Sequence, residues 1–248
     1  MKILFLDDIH IECHGDNGKA FLNHLPKDVD ALIIAGDWVQ FSKPYAEKVV
    51  RLFTEQYPHV ISIFGNHEYW GSSPTEVANK VADIQDRLPN YCGQWHPLDK
   101  STVTINNVTF AGATTWFPDT PESRLFQMQM NDFQYIKDFV PWVYEENERC
   151  IEFWETVEAD IWISHHLPSY KAVDPKFATS PINCYFVEPA LEGLIGYKQP
   201  KYFLGGHTHN SYNFNIGNTV CLSNPYGYES SDMRGLNNKF KYDYVIEI

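Results

Sequence analysis

Short apolar runs in this 248-residue chain repeatedly break off into aspartate, asparagine and histidine. "KILFL" runs into Asp7, Asp8 and His10. "DALIIA" runs into Gly36 and Asp37, and "HVISIF" into Gly65, Asn66, His67 and Glu68. "ADIWIS" is followed by His165 and His166, and "KYFL" by Gly205, Gly206, His207 and His209. Carboxylate, imidazole and amide oxygen are borderline-to-hard donors that suit Mn, Fe, Zn, Co or Ni. Asp8, His10, Asp37, Asn66, one of His165 and His166, His207 and His209 exceed what a single ion needs. They suit two divalent cations that share a carboxylate and leave positions for water and substrate. A pair of ions ~3.5–4 Å apart is a clamp for in-line displacement at phosphorus. The glycines at 36, 65, 205 and 206 let the backbone turn tightly beside such ions.

Donors so distant in sequence must be gathered by the fold. In an open α/β sheet the carboxyl ends of the strands line one crevice, and all five runs read as strands. The runs 2–6, 30–35 and 59–64 are continuously apolar, as strands covered on both faces are. Between the last two, Ala46, Val49, Val50, Phe53 and Tyr57 recur at helical spacing, with Ser42 as a cap and Pro44 in the first turn. After Glu68, Ser73 and Glu76 form a capping box around Pro74. Val77, Val81, Ile84 and Leu88 then make one stripe. "STVTINNVTFAGAT" reads as a hairpin turning at Asn106-Asn107, and "YNFNIGNTVCLSNP" as one turning at Gly217-Asn218. The segment 115–148 is aromatic-rich and irregular, broken by Pro118, Pro121 and Pro141. Helices are expected around 145–157 and 191–195, and "YDYVIEI" closes the chain as a strand. The pattern predicts a single α/β domain over 1–248, with an antiparallel β half toward the C-terminus.

The ordered set D-x-H, G-D, G-N-H-E, H-H and G-H-x-H resembles the calcineurin-like metallophosphoesterase superfamily over residues 8–209. The resemblance implies a four-layer β-sandwich flanked by helices. It also implies binuclear, metal-dependent hydrolysis of phosphomonoesters or phosphodiesters by a metal-bridging hydroxide. It places Asp8, His10, Asp37 and His209 on one ion and Asp37, Asn66, His165 and His207 on the other. His67 stays off the metals and donates a proton to the leaving oxygen or stabilises charge in the transition state. The resemblance alone selects His165 over His166, which is then a supporting donor or a neighbour of Leu167 and Pro168. Protein Ser/Thr phosphatases of the superfamily carry G-D-x-x-D-R-G, whereas this chain has "GDWVQF". Small bacterial and phage members carry N-P-R-G-Y after the last metal histidine. Here Asn224-Pro225-Tyr226-Gly227-Tyr228 stands in its place, so no arginine contact to phosphate is expected there.

Composition bounds the partners. The formal net charge of -13 repels nucleic acid and anionic membranes at long range, which disfavours double-stranded nucleic acid and leaves a small phosphate ester as the expected substrate. Lys171, Arg124 and Arg234 are the nearest cations to the motifs. The five cysteines are scattered and odd in number, so a reducing compartment is expected. No apolar run approaches the ~20 residues of a membrane span, and the N-terminus has no leader pattern, so the expected location is cytoplasmic.

Several residues carry ordinary readings. Asp7 is expected as a capping or solvated residue, and Glu68 as an orienter of its neighbours. A third metal at Glu12, Cys13 and His14 is less expected than loop chemistry, and His24, His59 and His96 have no partners by spacing. Trp38, Trp70, Trp116 and Tyr170 read as loop cover rather than base-stacking groups, and "RLFQMQM" as a core stripe rather than a lid. Specificity is expected from 115–142 and 172–186. Two rival functions share the sequence: a nuclease on the same scaffold, and a non-catalytic protein-binding scaffold. The second would be expected to have lost ligands, and this chain retains them.

Overall fold

Buried strands of alternating facing build two sheets that share one core. A computed structural model describes residues 1–229 and 235–248. In chain order the strands are β1 (Lys2–Leu6), β2 (Ala31–Ile34), β3 (His59–Ile63), β4 (Gln94–Leu98), β5 (Ser101–Ile105), β6 (Val108–Ala113), β7 (Ile161–Ser164), β8 (Tyr202–Leu204), β9 (Asn213–Ile216), β10 (Thr219–Leu222) and β11 (Val245–Glu247). The helices are α1 (Lys19–His24), α2 (Ala46–Thr54), α3 (Pro74–Arg87), α4 (Pro121–Leu125), α5 (Asp132–Tyr135), α6 (Phe139–Thr156) and α7 (Ala190–Lys198), with short 310 turns between them.

The first sheet has the order β11-β1-β2-β3-β4 and the second β5-β6-β7-β8-β10-β9. Along β1, Ile3 and Phe5 face the second sheet and meet Phe110, Ile161, Ile163 and Leu204. Leu4 and Leu6 face the other way, onto Phe21 and Leu22 of α1, Val49 and Phe53 of α2, and Val77 and Val81 of α3. Trp162 and Phe203 on the outer face of the second sheet pack against Trp154 of α6 and Leu191 of α7. The layers are therefore helices, sheet, sheet, helices, as the resemblance implied. Covering both faces of each sheet is what makes its strands continuously apolar.

The antiparallel C-terminal half is corrected. In the second sheet β6, β7, β8 and β10 pair in parallel and the hairpin partners β5 and β9 run antiparallel at the two edges, while the last strand, β11, pairs antiparallel with β1 in the first sheet. Each hairpin lends one strand to a parallel interior. Both turns form where expected, with Asn106 and Asn107 at positive φ. The capping box of α3 is present, with Ser73 accepting from Glu76 N–H. Ser42 does not cap α2; its hydroxyl donates to the Trp70 carbonyl, and α2 begins at Ala46 after Tyr45. The pattern missed β4, because Pro97 argues against a strand. As an edge strand β4 tolerates the absent N–H. Helix α6 starts earlier than expected, because Phe139, Val143 and Tyr144 already have a core to bury in.

The parallel runs β1-β2-β3 and β7-β8 end at one shared edge. No helix among the described residues is long and apolar enough to cross a membrane.

Candidate metal centre

At that edge the backbone leaves the strands abruptly. Asp8, His10, Asp37, His207 and His209 all have positive φ, between 48° and 75°. Such a conformation costs of order 1–3 kcal/mol per non-glycine residue, and it persists only where the surroundings over-determine it. Here the loops are cross-tied. His10 N–H donates to the Asp37 carbonyl at 2.9 Å, and Ile11 N–H to the Trp38 carbonyl at 3.0 Å. His207 N–H donates to both oxygens of Asp8, at 2.8 and 3.1 Å, and His67 N–H to Asp37 Oδ1 at 2.9 Å. Gly65 is required by close approach. A Cβ there would lie 2.1 Å from Asp37 Oδ1 and 2.7 Å from the His165 ring.

These turns bring together two sets of donors, Asp8 with His10 and His209, and Asp37 with His165 and His207, and a third group, His10 with Glu12 and His67, shares His10 with the first. Within each set the donor atoms lie within 4.8 Å of one another. Asp37 Oδ2 reaches both sets, 3.8 Å from His10 Nε2 and 3.4 Å from His165 Nε2. Asn66 Oδ1 lies 3.2 Å from His165 Nε2. The seven sequence candidates are thus gathered in one place.

The donor chemistry fits cations. The Ala35 carbonyl can only accept, so the His165 Nδ1 facing it at 2.9 Å carries the proton. The His165 Nε2 faces two further acceptors, Asp37 Oδ2 at 3.4 Å and Asn66 Oδ1 at 3.2 Å, which a second ring proton or a cation between them satisfies. His10 Nδ1 likewise donates to Glu12 at 3.0 Å, yet its Nε2 lies 2.9 Å from His209 Nε2. His207 Nε2 is buried with no partner among the described residues. So many nitrogen and oxygen lone pairs converging on one space call for positive charge there, as protons or as metal ions. Among the described residues, no lysine or arginine pairs with Asp8, Asp37 or Glu12; every ionic partner of these three is a histidine. Without metal, the balancing positive charge of this buried cluster has to come from the histidines themselves. Burial drives the Asp8 carboxyl well above the usual range. His165, against its own burial, is lifted to about 10 by the charge of Asp37.

Other side chains hold the donors. Glu68 accepts four backbone N–H groups, from Asp37 (2.9 Å), Trp38 (2.8 Å), Val39 (3.1 Å) and Gly65 (2.6 Å), and so joins the second and third motifs. This is the orienting role expected of it. Burial and the neighbouring Asp37 nevertheless push its carboxyl up to about 7. Glu12 Oε1 contacts both His10 Nδ1 and His67 Nδ1, the latter at 2.7 Å. It is held down to about 2, the two imidazoles outweighing its burial. Asp132 accepts from Asn66 Nδ2 at 2.9 Å and Trp70 Nε1 at 2.8 Å, turning the asparagine oxygen inward. The His67 ring stacks on Trp70 at 3.6 Å, and its Nε2 faces the Tyr228 hydroxyl at 3.1 Å.

Some readings need correction. Asp7 neither caps a helix nor meets solvent; it is buried and accepts from Ser223 Oγ and Asn224 N–H, both at 3.0 Å. Tyr226, standing in the arginine position, points away from the donors into a cluster with Phe21 and Phe240. Trp38 and Trp116 are core residues, as cover would be, whereas Trp70 is part of the site. Tyr170 is exposed. In "RLFQMQM" no core stripe forms, since Leu125 is 73% and Met128 85% exposed, while Met130 is buried beside the site. His59 and His96 do have partners, each other, at 3.2 Å across β3 and β4. His14 faces the Ile9 carbonyl and Glu229. His166 Nδ1 faces the Thr114 carbonyl at 3.1 Å, outside both donor sets. Lys171 and Arg124 are engaged by Glu192 and Asp119 on the surface, and Arg234 lies outside the described residues. The lysines that do line space beside the donors are Lys176 and Lys239.

From sequence, Glu12 was named only in a less expected third metal site, Tyr228 only as the end of the 224–228 stretch, and Asp132 not at all. Their contacts to His67, His67 and Asn66 span 55, 161 and 66 residues, which no local spacing announces.

The family model for calcineurin-like phosphoesterases matches residues 1–211. Among curated proteins, none matches the chain in sequence. The fold is similar to that of a phosphopantetheinyl hydrolase from Mycobacterium tuberculosis, with a TM-score of 0.74 and 13% identity over 92% of this chain and 89% of that one. A second solved structure covers 90% of each chain at 13% identity with a TM-score of 0.56. A novel archaeal phosphodiesterase covers 91% of this chain and 84% of its own at 13% identity, with a TM-score of 0.36.

Proposed function

The chain belongs to the calcineurin-like phosphoesterase family, a family of metal-dependent phosphoric ester hydrolases, and from that premise we propose that it cleaves a phosphomonoester or phosphodiester at two divalent cations. The observation that carries this reading is the position of Asp37 Oδ2, within 3.8 Å of His10 Nε2 in one donor set and 3.4 Å of His165 Nε2 in the other. Asp8, His10, Asp37 and His209 hold one ion. Asp37, Asn66, His165 and His207 hold the other. When bound, such ions supply a water of near-neutral pKa and neutralise phosphoryl charge.

The remaining chemistry belongs to the protein. His67 gives its backbone N–H to Asp37 and packs its ring edge-on against His10 at 4.4 Å, while Glu12 fixes its Nδ1 and Trp70 stacks on its ring. Its Nε2 is the atom left to deliver a proton to the leaving oxygen, and the Tyr228 hydroxyl now facing it yields that place to substrate. Glu12 acts through His67 and His10 as a positioning residue. Glu68 keeps the loops that carry Asp37 and Asn66 in register. Asp132 keeps the Asn66 oxygen, rather than its nitrogen, toward the donors. Such supporting partners set the orientation of ligands and are worth ~10–100-fold in affinity or activity.

Metal analysis joined to a screen of mono-, di- and cyclic phosphate esters tests this reading. Asp37→Asn is expected to lose metal and turnover together. His67→Ala is expected to keep its metal and lose most turnover. Wild-type protein that binds one ion or none with Mn present, or a fully active His67→Ala, would overturn the assignment.

A further inference from the structure

Two cavities meet at the donor cluster. The larger, about 580 Å³, and the smaller, about 240 Å³, are both bounded by His207, His209, Tyr228, Ile182 and Phe186. Only the smaller also touches Asp37, Asn66 and His67, and its outer wall is Trp70, Met130 and Asn131. The larger runs away from His67 between Phe177 and Leu236, with Asn183, Asn237, Lys176 and Lys239 on its walls. Its volume falls in the range of ~300–1,000 Å³ typical of organic ligand sites, and the smaller cavity falls below it. A phosphorus atom seated at Asp37 therefore has space for a substituent on two sides, and the two spaces differ in size and chemistry. The larger offers aromatic and apolar surface edged by amides, the Lys239 ammonium and the Lys176–Asp174 ion pair. That suits a flat or apolar body with polar edges. The smaller suits a short alcohol.

We propose that the substrate is a phosphodiester with one bulky, amphipathic alcohol and one small alcohol, and that the small alcohol departs from the His67 side while the bulky one stays on the phosphate. This rests on the phosphoesterase reading and narrows it. The polarity follows from the single proton donor. His67 borders the smaller cavity and not the larger, so the oxygen it protonates is the one whose substituent occupies the smaller. In the step, a water oxygen bonds to phosphorus as the P–O bond to the small alcohol breaks with its electron pair. His67 gives that oxygen a proton, and a proton from the water restores His67. The products are the small alcohol and the phosphomonoester of the bulky one. A monoester substrate would leave one cavity with only water in it.

The probe is the methyl ester of thymidine 5′-phosphate, given to the Mn-loaded protein, with products resolved by NMR. Methanol and thymidine 5′-phosphate are expected; thymidine and methyl phosphate would overturn the assigned polarity. A binding measurement gives a second readout. Asn238 and Asn131 are exposed residues on the larger and smaller walls respectively. Asn238→Trp should weaken calorimetric binding of thymidine 5′-phosphate by about ten-fold or more, and Asn131→Trp by much less. The opposite ranking, or equal effects, would sink the inference. Hydrolysis of 4-nitrophenyl phosphate without hydrolysis of any diester would leave the phosphoesterase reading standing and remove this one. Failure on every ester would remove both.

Discussion

Around Asp37, each donor side chain sits within a few residues of the end of a buried strand. The walls of the two flanking cavities come instead from 129–132, 173–186 and 236–239, which are short 310 turns and connecting chain, much of it exposed. The donors are cross-tied by main-chain hydrogen bonds and by Glu68, and five of them sit in a strained backbone conformation that only such ties sustain. The ties of the walls are mostly local turn hydrogen bonds, such as Phe177 N–H to Asp174 and Phe186 N–H to Asn183, rather than bonds between distant strand ends. Chemistry that must be held to a fraction of an ångström is built on the rigid layer, and selectivity is left to chain that tolerates change. The difference implies that substitutions at the strand ends act on turnover and metal together, while wall substitutions act on substrate choice.

The largest effect expected is that of Asp37→Asn. Losing the carboxylate common to both donor sets should lower metal content by at least one equivalent and reduce turnover well beyond the ~10–100-fold that a supporting partner is worth. An Asp37→Asn protein that retains two ions would erase the distinction between the two regions. His67→Ala comes next, with kcat reduced ~10²–10⁴-fold at unchanged metal content. Glu12→Gln keeps an oxygen near His67 and His10 but removes the charge. It should lower kcat ~10-fold or more while leaving KM and metal content nearly unchanged, as fits a group that acts through another. Phe177→Ala lies on the wall and should do the reverse. We expect a few-fold rise in KM for a diester with a bulky arm, with kcat preserved, as loss of uniform binding predicts. Steady-state kinetics beside metal analysis separates the four. If Phe177→Ala lowers kcat and Glu12→Gln raises only KM, the division of labour is wrong.

Much of the rigid region could be read from spacing. The motif D-x-H puts Asp8 and His10 into one donor set, whereas H-x-H gives His209 to that set and His207 to the other, all four at positive φ. Strand ends are also where hydrophobic pattern breaks most visibly, which is why the runs before Gly36 and Gly65 pointed to the site. The choice of His165 over His166 had rested on resemblance. In the structure His165 faces Asp37 and Asn66, and His166 faces the Thr114 carbonyl. Specificity was expected from 115–142 and 172–186; the cavity walls draw on 129–132 and 173–186 within those regions and also on 236–239, which was not named. Leu125 and Met128 read as core and are exposed, because α4, which ends at Leu125, and the 310 turn 127–129 are too short to carry a hydrophobic period. Strand β4 was missed for a related reason: its proline is acceptable only at an edge, and edges are decided by sheet order.

The sequence by itself determined which strands are buried, where each stops, and which donor side chains follow, because those are local matters of hydrophobic pattern and chain turning. Only the tertiary structure decided which distant groups meet. Parallel pairing within two facing sheets sets Asp37 between His10 and His165, puts the Glu12 carboxylate against His67, and opens unequal spaces on either side. Contacts across tens to hundreds of residues leave no local periodicity, since they arise from the packing of whole layers rather than from the geometry of one segment.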